Sequence, residues 1–298
     1  MINRRFFSPI IYIVAFLGAV LLSPVGIRAQ ASLPMHCDSD TTEIRTIITE
    51  IQQKAADEGG LPRGQRIAAA ARALVGRGAD NSLTTDSAAT LSVNVDTFDP
   101  MSFVNSCIAL AEASETPGGA WRVYADRLRN VACRKGENQG FASLFHHTSD
   151  WIGDNIYRGN LVELTDRYEG ARSKNWSLDY MTVNRDRFPA MADPELYDRI
   201  RMHEMGFRTH KVPYLPKQYV SKKEVIDDLR DGDIIILISD KDRSDYFTFG
   251  IVVFEPDGPH LVHFSEEEGR VVLEPEPLKR YFNLMTKHFS GFRLVRVV

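Results

Sequence analysis

The side chains best suited to chemistry in this sequence are a small number of cysteines and histidines. The three cysteines, Cys37, Cys107 and Cys133, allow at most one disulfide bond and leave one thiol over. A thiol at the start of a helix is favoured as the thiolate, and a histidine on a neighbouring strand can serve as its base. Thiol chemistry of this kind needs a helix start packed on a sheet.

The histidines, eight in all, show no spacing typical of a metal site. His203-Glu204 begins like the helical motif of zinc peptidases, but that motif has its second histidine where this chain has Phe207. The sequence therefore predicts that no metal is bound.

One helix start stands out. Asp99 can cap a helix and Pro100 fits its first turn, so the pair predicts a helix that begins here. Phe103, Cys107 and Ile108 would form its inner face, which indicates that Cys107 is a buried structural thiol. The sequence after position 115 contains Pro and two Gly and ends the helix.

The other predicted elements place helices first and strands last, which is an α+β order. Helical spacing of apolar residues predicts three more helices, at 43–57, 62–76 and 121–131. Short β-branched runs predict strands at 234–238, 249–254, 260–264, 271–273 and 292–298. Turn residues between these runs predict an antiparallel meander that closes the domain.

The first 31 residues have the three parts of a secretory signal peptide. Arg4 and Arg5 precede an apolar run over 10–22 that is too short to span a bilayer, and small residues at 29 and 31 provide a cleavage site. We expect export to the periplasm or the extracellular space, with no membrane attachment after cleavage. An uncleaved membrane anchor is the alternative.

The charge argues against nucleic acid as a partner. The predicted signal peptide carries three arginines and no acidic side chain, so the remaining chain has 33 basic and 40 acidic residues. Binding to nucleic acid needs a basic face that neutralises phosphates.

From Leu74 to the C-terminus the sequence resembles the NlpC-type cell-wall peptidase superfamily, and within it the branch of N-acetylmuramoyl-L-alanine amidases. The matching stretches are Leu74-Val75-Gly76, Leu91 to Val95, Phe98-Asp99 with Ser102 to Val104, His146 with Ser149 to Ile152, Gly232 to Ile235, Gly250-Ile251, and Leu261 to His263. The resemblance implies a papain-like fold and no cofactor. Together with the signal peptide predicted at 1–31, it divides the chain into a helical segment packed on the core at 32–73 and an amidase-like domain at 74–298.

The chain departs from this family at the positions that carry the chemistry. The family has Asp-Cys-x-Thr-Phe-Val-Glu where this chain has Asp99 to Asn105, so Pro100 stands in place of the nucleophile. The resemblance places Thr248 at the position of the base histidine and retains the third position as His263. Neither proline nor threonine can replace a Cys-His relay.

The resemblance also places five residues at the substrate cleft: Asp99, Ser102, His146, Asp150 and Trp151. The residues themselves allow plainer interpretations. His146 is also compatible with a packed surface histidine, and Asp150 with a helix cap.

We therefore expect a catalytically inactive amidase homologue that binds peptidoglycan fragments or an envelope protein partner. One alternative is an active amidase in which the nucleophile has moved, for example to Ser102 or Cys107. The other alternative is a structural envelope protein in which aromatic residues near Thr248 have closed the cleft.

Overall fold

The structure is a computed structural model that describes residues 36–37, 41–80, 90–118, 121–175, 177–207, 210–239, 246, 248–285 and 289–298. At 36–37 it describes the backbone alone. The predicted signal peptide, 1–31, lies outside the described residues.

The α+β prediction is confirmed, and the helices predicted from apolar spacing are present. Helix α1 spans Thr41–Asp57, α2 spans Arg63–Ala73, α3 spans Pro100–Ser114 and α4 spans Trp121–Ala132. Helix α3 contacts the other three and the sheet, and nearly all of its side chains are buried. The most apolar helix is therefore the central one, as burial of apolar surface requires.

Shorter elements fill the middle of the chain, where the sequence analysis assigned little. The helices are α5 at Thr148–Tyr157, α6 at Tyr180–Val183, α7 at Pro194–Gly206, α8 at Lys223–Asp228 and, before the last strand, α9 at Leu278–Leu284. Within the described residues, no helix is long and apolar enough to cross a membrane.

Ten of the described strands form one sheet, in the order β4, β2, β11, β10, β9, β8, β12, β7, β6, with β5 beside β12. The early strands are β1 at His36–Cys37, β2 at Gly78–Ala79, β3 at Ser92–Val93, β4 at Thr97–Phe98, β5 at Leu161–Glu163, β6 at Arg172–Asn175 and β7 at Lys211–Pro216. The later ones are β8 at Ile234–Ser239, β9 at Thr248–Glu255, β10 at Gly258–Ser265, β11 at Arg270–Leu273 and β12 at Phe289–Val297. Strand β1 pairs in parallel with β3, outside this sheet.

Strands β8 to β11 form the predicted antiparallel meander, but the last strand does not continue it. Strand β12 returns to the other side of β8 and pairs with it antiparallel. Strands β5 and β7 also pair with β12, so the C-terminal strand lies inside the sheet and not at its edge. Its buried, apolar sequence fits this inner position.

The sheet has a hydrophobic core on each face, and the alternation of side chains along a strand decides which core each residue joins. Ile234, Ile236 and Phe249 pack in the core formed with helices α1 to α4. Ile235 and Leu237 pack in the opposite core, which is covered by α9.

A third, small core, which we call the satellite cluster, lies apart from both. Its buried members are Phe141, Ala142, Met181, Ala190, Met191 and Ile200. They come from the segment before α5 and from the region of α6 and α7.

Gly250 in the middle of the sheet provides a test of this packing. A Cβ atom at this position would lie 2.2 Å from Val262 O and 2.7 Å from His263 Cβ. We expect Gly250→Ala to lower the free energy of unfolding by about 1–3 kcal/mol or more, because the backbone of β10 cannot move aside. In the control Gly153→Ala, on an open helix face, the new methyl group meets nothing within 4 Å, and stability should rise by roughly 0.5–1 kcal/mol. Urea unfolding curves measure both, and equal stability of the two variants would contradict this packing.

Candidate functional site

A cavity of about 520 Å³ opens at the start of helix α3, and we call it the α3 cavity. Its walls come from five parts of the chain. The first is the start of α3 with the preceding loop, and the second is the segment 144–147 before α5. The third is the region beside the satellite cluster, which contributes Tyr180, Met181, Arg187 and Phe188. The fourth is the end of the sheet, with Ser239, Tyr246 and Glu266, and the fifth is α4, with Leu128 and Ala132. These groups offer a ligand both polar contacts and apolar surface.

Asp99 and Ser102 close the first turn of α3 as a capping box. The Asp99 carboxylate accepts hydrogen bonds from the backbone N–H groups of Met101, at 2.7 Å, and Ser102, at 3.0 Å. In return the Asp99 N–H donates to Ser102 Oγ at 2.8 Å. Pro100 needs no such partner, because it has no N–H and occupies the first helical position. The three residues line the cavity together.

The Asp99 carboxyl group is held in an environment that disfavours its charge. Burial raises its pKa above the ordinary value, and the nearby Asp80 adds to this effect, although the hydrogen bonds of the capping box oppose it. The cavity wall at the helix start therefore includes a carboxyl group, that of Asp99, which protonates more readily than usual.

Two adjacent histidines, His146 and His147, line the opposite wall. Each has one ring nitrogen, Nε2, engaged in a hydrogen bond. His146 Nε2 is 3.0 Å from the carbonyl oxygen of Phe141, and its ring lies against the Phe141 ring. Burial lowers the pKa of His146 to about 3, so this imidazole is neutral. His147 Nε2 is 3.0 Å from Oε1 of Glu204, a buried carboxylate on α7.

The structure does not place Asp150 and Trp151 in the cavity, which corrects the expectation that they contact a ligand. Both lie on α5, whose buried face points into the core. Trp151 is fully buried, and its Nε1 donates to Asn105 Oδ1 at 2.9 Å and to the carbonyl oxygen of Val131 at 3.0 Å. Asp150 forms an ion pair with Arg134 and is not the cap of α5, a position held by His147.

Thr248 and His263 also lie outside the cavity lining, on the sheet face that α9 covers. Thr248 Oγ1 is 3.1 Å from His263 Nδ1, and His263 Nε2 is 2.7 Å from Glu274 Oε1. The His263 ring packs near the ring of Tyr281, on α9. The structure therefore brings Thr248 and His263 into contact, but neither lines the α3 cavity with Pro100.

The two cysteines whose side chains are described cannot serve the cavity. Cys107 and Cys133 are free, buried thiols, and neither lines the cavity. Burial raises the pKa of Cys107 well above its ordinary value and that of Cys133 to about 12. Both are therefore protonated and inert at neutral pH, as predicted for Cys107.

Glu204 and His147 are residues of this site that the sequence did not single out as functional. The spacing of Glu204 along α7 could have indicated its burial. Glu204 lies four residues after the buried Ile200, on a helix whose other faces are mostly exposed. A carboxylate on the inner stripe of such a helix indicates a buried polar partner. Among the described residues, no group of three or more His, Cys, Asp or Glu side chains could hold a metal ion.

Residues 72–288 match the AmiA-like, N-acetylmuramoyl-L-alanine amidase-like family, and the chain belongs to this family. No curated protein matches the sequence.

Several solved structures share the fold. An N-acetylmuramoyl-L-alanine amidase from Bacteroides uniformis has 24% identity and a TM-score of 0.69, covering 79% of this chain and 98% of its own. A Bacteroides fragilis protein that carries a provisional xylanase name has 26% identity and a TM-score of 0.68, covering 76% and 99%. A Legionella pneumophila protein has 16% identity and a TM-score of 0.60, covering 87% and 97%.

The capping box gives a prediction with a defined sign. Asp99→Asn keeps the cap but removes the cost of a buried charge, so at pH 7 its free energy of unfolding should equal or exceed that of the wild type. Asp99→Ala loses the cap and should be less stable by about 0.5–2 kcal/mol.

The pH dependence follows from the raised pKa of Asp99. The folded wild type binds a proton more tightly than the unfolded chain, so this group stabilises the fold as the pH falls. Any advantage of Asp99→Asn should therefore be largest at neutral pH and vanish below the ordinary pKa of 3.8. Urea unfolding from pH 3 to pH 7 measures the difference, and an advantage that grows toward low pH would contradict the raised pKa.

Proposed function

We propose that this protein is exported, binds muropeptide fragments of peptidoglycan in the α3 cavity, and does not cleave them. One observation carries the proposal. Pro100 occupies the helix start where an NlpC-type amidase has its thiol, and none of the described residues that line the cavity is a cysteine. The family is an amidase-like one, which supports a peptidoglycan fragment as the ligand.

The size and composition of the cavity support binding rather than a closed cleft. A volume of about 520 Å³ falls in the range of small-molecule sites, which run from roughly 300 to 1,000 Å³. Tyr246 lines this space without filling it, and Phe249 packs away from it against Trp151. The space beside Pro100 is therefore open, which gives no support to a structural protein with a filled cleft.

The two serines of α3 that line the cavity, Ser102 and Ser106, give little support to a moved nucleophile. Ser102 Oγ accepts from the Asp99 N–H and lies 3.2 Å from the Asp99 carbonyl oxygen, so the capping box engages it. Ser106 Oγ is buried and lies 2.9 Å from Tyr124 Oη. A nucleophile needs a base within hydrogen-bond reach, and neither serine is bonded to an imidazole.

The proposal is tested by incubating the purified mature protein with defined muropeptides and analysing the products by mass spectrometry. We expect the amide bond between glycan and peptide to stay intact, and titration calorimetry of the same preparation to detect binding. Release of free peptide would contradict the proposed inactivity. Ser102→Ala and Cys107→Ala would then show which of the two side chains, if either, the cleavage requires.

A further inference from the structure

The Glu204 carboxylate has a full set of hydrogen-bond donors. Oε1 accepts from His147 Nε2 at 3.0 Å and from the Met181 N–H at 2.9 Å. Oε2 accepts from the Thr182 N–H at 3.2 Å and from the Thr182 hydroxyl group. Burial raises the pKa of Glu204, but the bonds from His147, Thr182 and Met181 outweigh it and lower the pKa overall. Glu204 is therefore an ionised carboxylate that only accepts hydrogen bonds.

This arrangement fixes the tautomer of His147. Because Glu204 accepts, Nε2 of His147 must carry the proton, and in the neutral imidazole the lone pair is then on Nδ1. Nδ1 bonds to no residue that the structure describes. Nδ1 of His147 is nevertheless not fully enclosed. In this it differs from Nδ1 of His203, which is an enclosed polar atom without a partner. His147 lines the cavity while only 7% of its surface is exposed, so the access of Nδ1 to solvent is through the cavity.

Among the neighbouring polar groups of the cavity, Asp99 and Ser102 bond each other's backbone in the capping box. His146 also keeps Nδ1 without a partner among the described residues, but its Nε2 bonds the backbone carbonyl of Phe141 and not a buried carboxylate. His147 combines a rigid ring, held by a buried carboxylate, with an acceptor that has no internal partner. A buried acceptor of this kind costs free energy unless a ligand or water bonds it.

We propose that Nδ1 of His147 accepts a hydrogen bond from an amide N–H or hydroxyl group of the bound muropeptide. His147 is then a specificity-determining residue of the cavity, and Glu204 is a positioning residue that orients its ring. The inference rests on the proposed function, since it names the group through which the cavity holds that ligand.

Two substitutions separate the acceptor from the contact with Glu204. In His147→Gln the side-chain amide can still donate to Glu204, but no acceptor remains at the place of Nδ1. In His147→Asn the amide oxygen stands near the place of Nδ1, but the bond to Glu204 is lost. His260→Gln is the matched control, because His260 is also buried and bonds a carboxylate, Asp257, at 2.9 Å, yet lies on β10 outside the cavity.

The probe is N-acetylmuramoyl-L-alanyl-D-isoglutamine, titrated by calorimetry into the full mature chain. We expect His147→Gln to weaken binding by about 5- to 30-fold, as for a ligand donor left without its partner. His147→Asn should recover part of the affinity, and His260→Gln should bind like the wild type. Thermal unfolding of each variant checks that the fold is retained.

Nitrogen NMR of the histidine side chains provides a readout that a structural role would not change. The free wild type should show His147 as the Nε2–H tautomer, and the Nδ1 resonance should shift on addition of the probe. Binding by His147→Gln equal to that of the wild type, or an unshifted Nδ1 resonance in the bound protein, would overturn this inference alone. Absence of binding to the wild type would overturn the proposed function and this inference with it.

Discussion

A buried helix must satisfy the backbone donors of its first turn from within the protein, and the start of α3 depends on that constraint. Asp99 supplies the acceptor for two of these donors, while Pro100 removes the need for a third. Helix α3 contacts the sheet and the other three long helices. Its start therefore determines where the loop that precedes α3 meets the end of the sheet. The α3 cavity exists at that meeting point, and Pro100 can stand there without disturbing the fold.

The opposite wall depends on a second buried carboxylate. Glu204 bonds the backbone at the start of α6 and the ring of His147 at the start of α5. It thereby ties the satellite cluster to the segment that lines the cavity. Asp99 thus holds one wall of the cavity, and Glu204 holds the other. Asp99 accepts hydrogen bonds from the start of α3, and Glu204 accepts them from the start of α6. The proposed recognition role of His147 follows from this second tie and not from the resemblance that pointed to Pro100.

The sequence was informative wherever a local signal decided the structure. Asp99 and Pro100 predicted the start of α3, and apolar spacing predicted helices and strands close to their bounds, because capping and periodicity act within a few residues. It was not informative about which strands pair across long stretches of sequence or which of two cores a buried residue joins. The fully buried position of Trp151 and the pairing of β12 with β8 depend on long-range packing that spacing alone does not specify. Glu204 was missed for the same reason, since its partners are distant in sequence.

A crystal structure of the protein with a defined muropeptide would show whether the α3 cavity holds this ligand intact. We expect an uncleaved ligand between the start of α3 and the satellite cluster, with a donor of the ligand within hydrogen-bond distance of His147 Nδ1. A ligand bound elsewhere, such as at the sheet face that carries Thr248 and His263, or a cleaved ligand in the cavity, would contradict it.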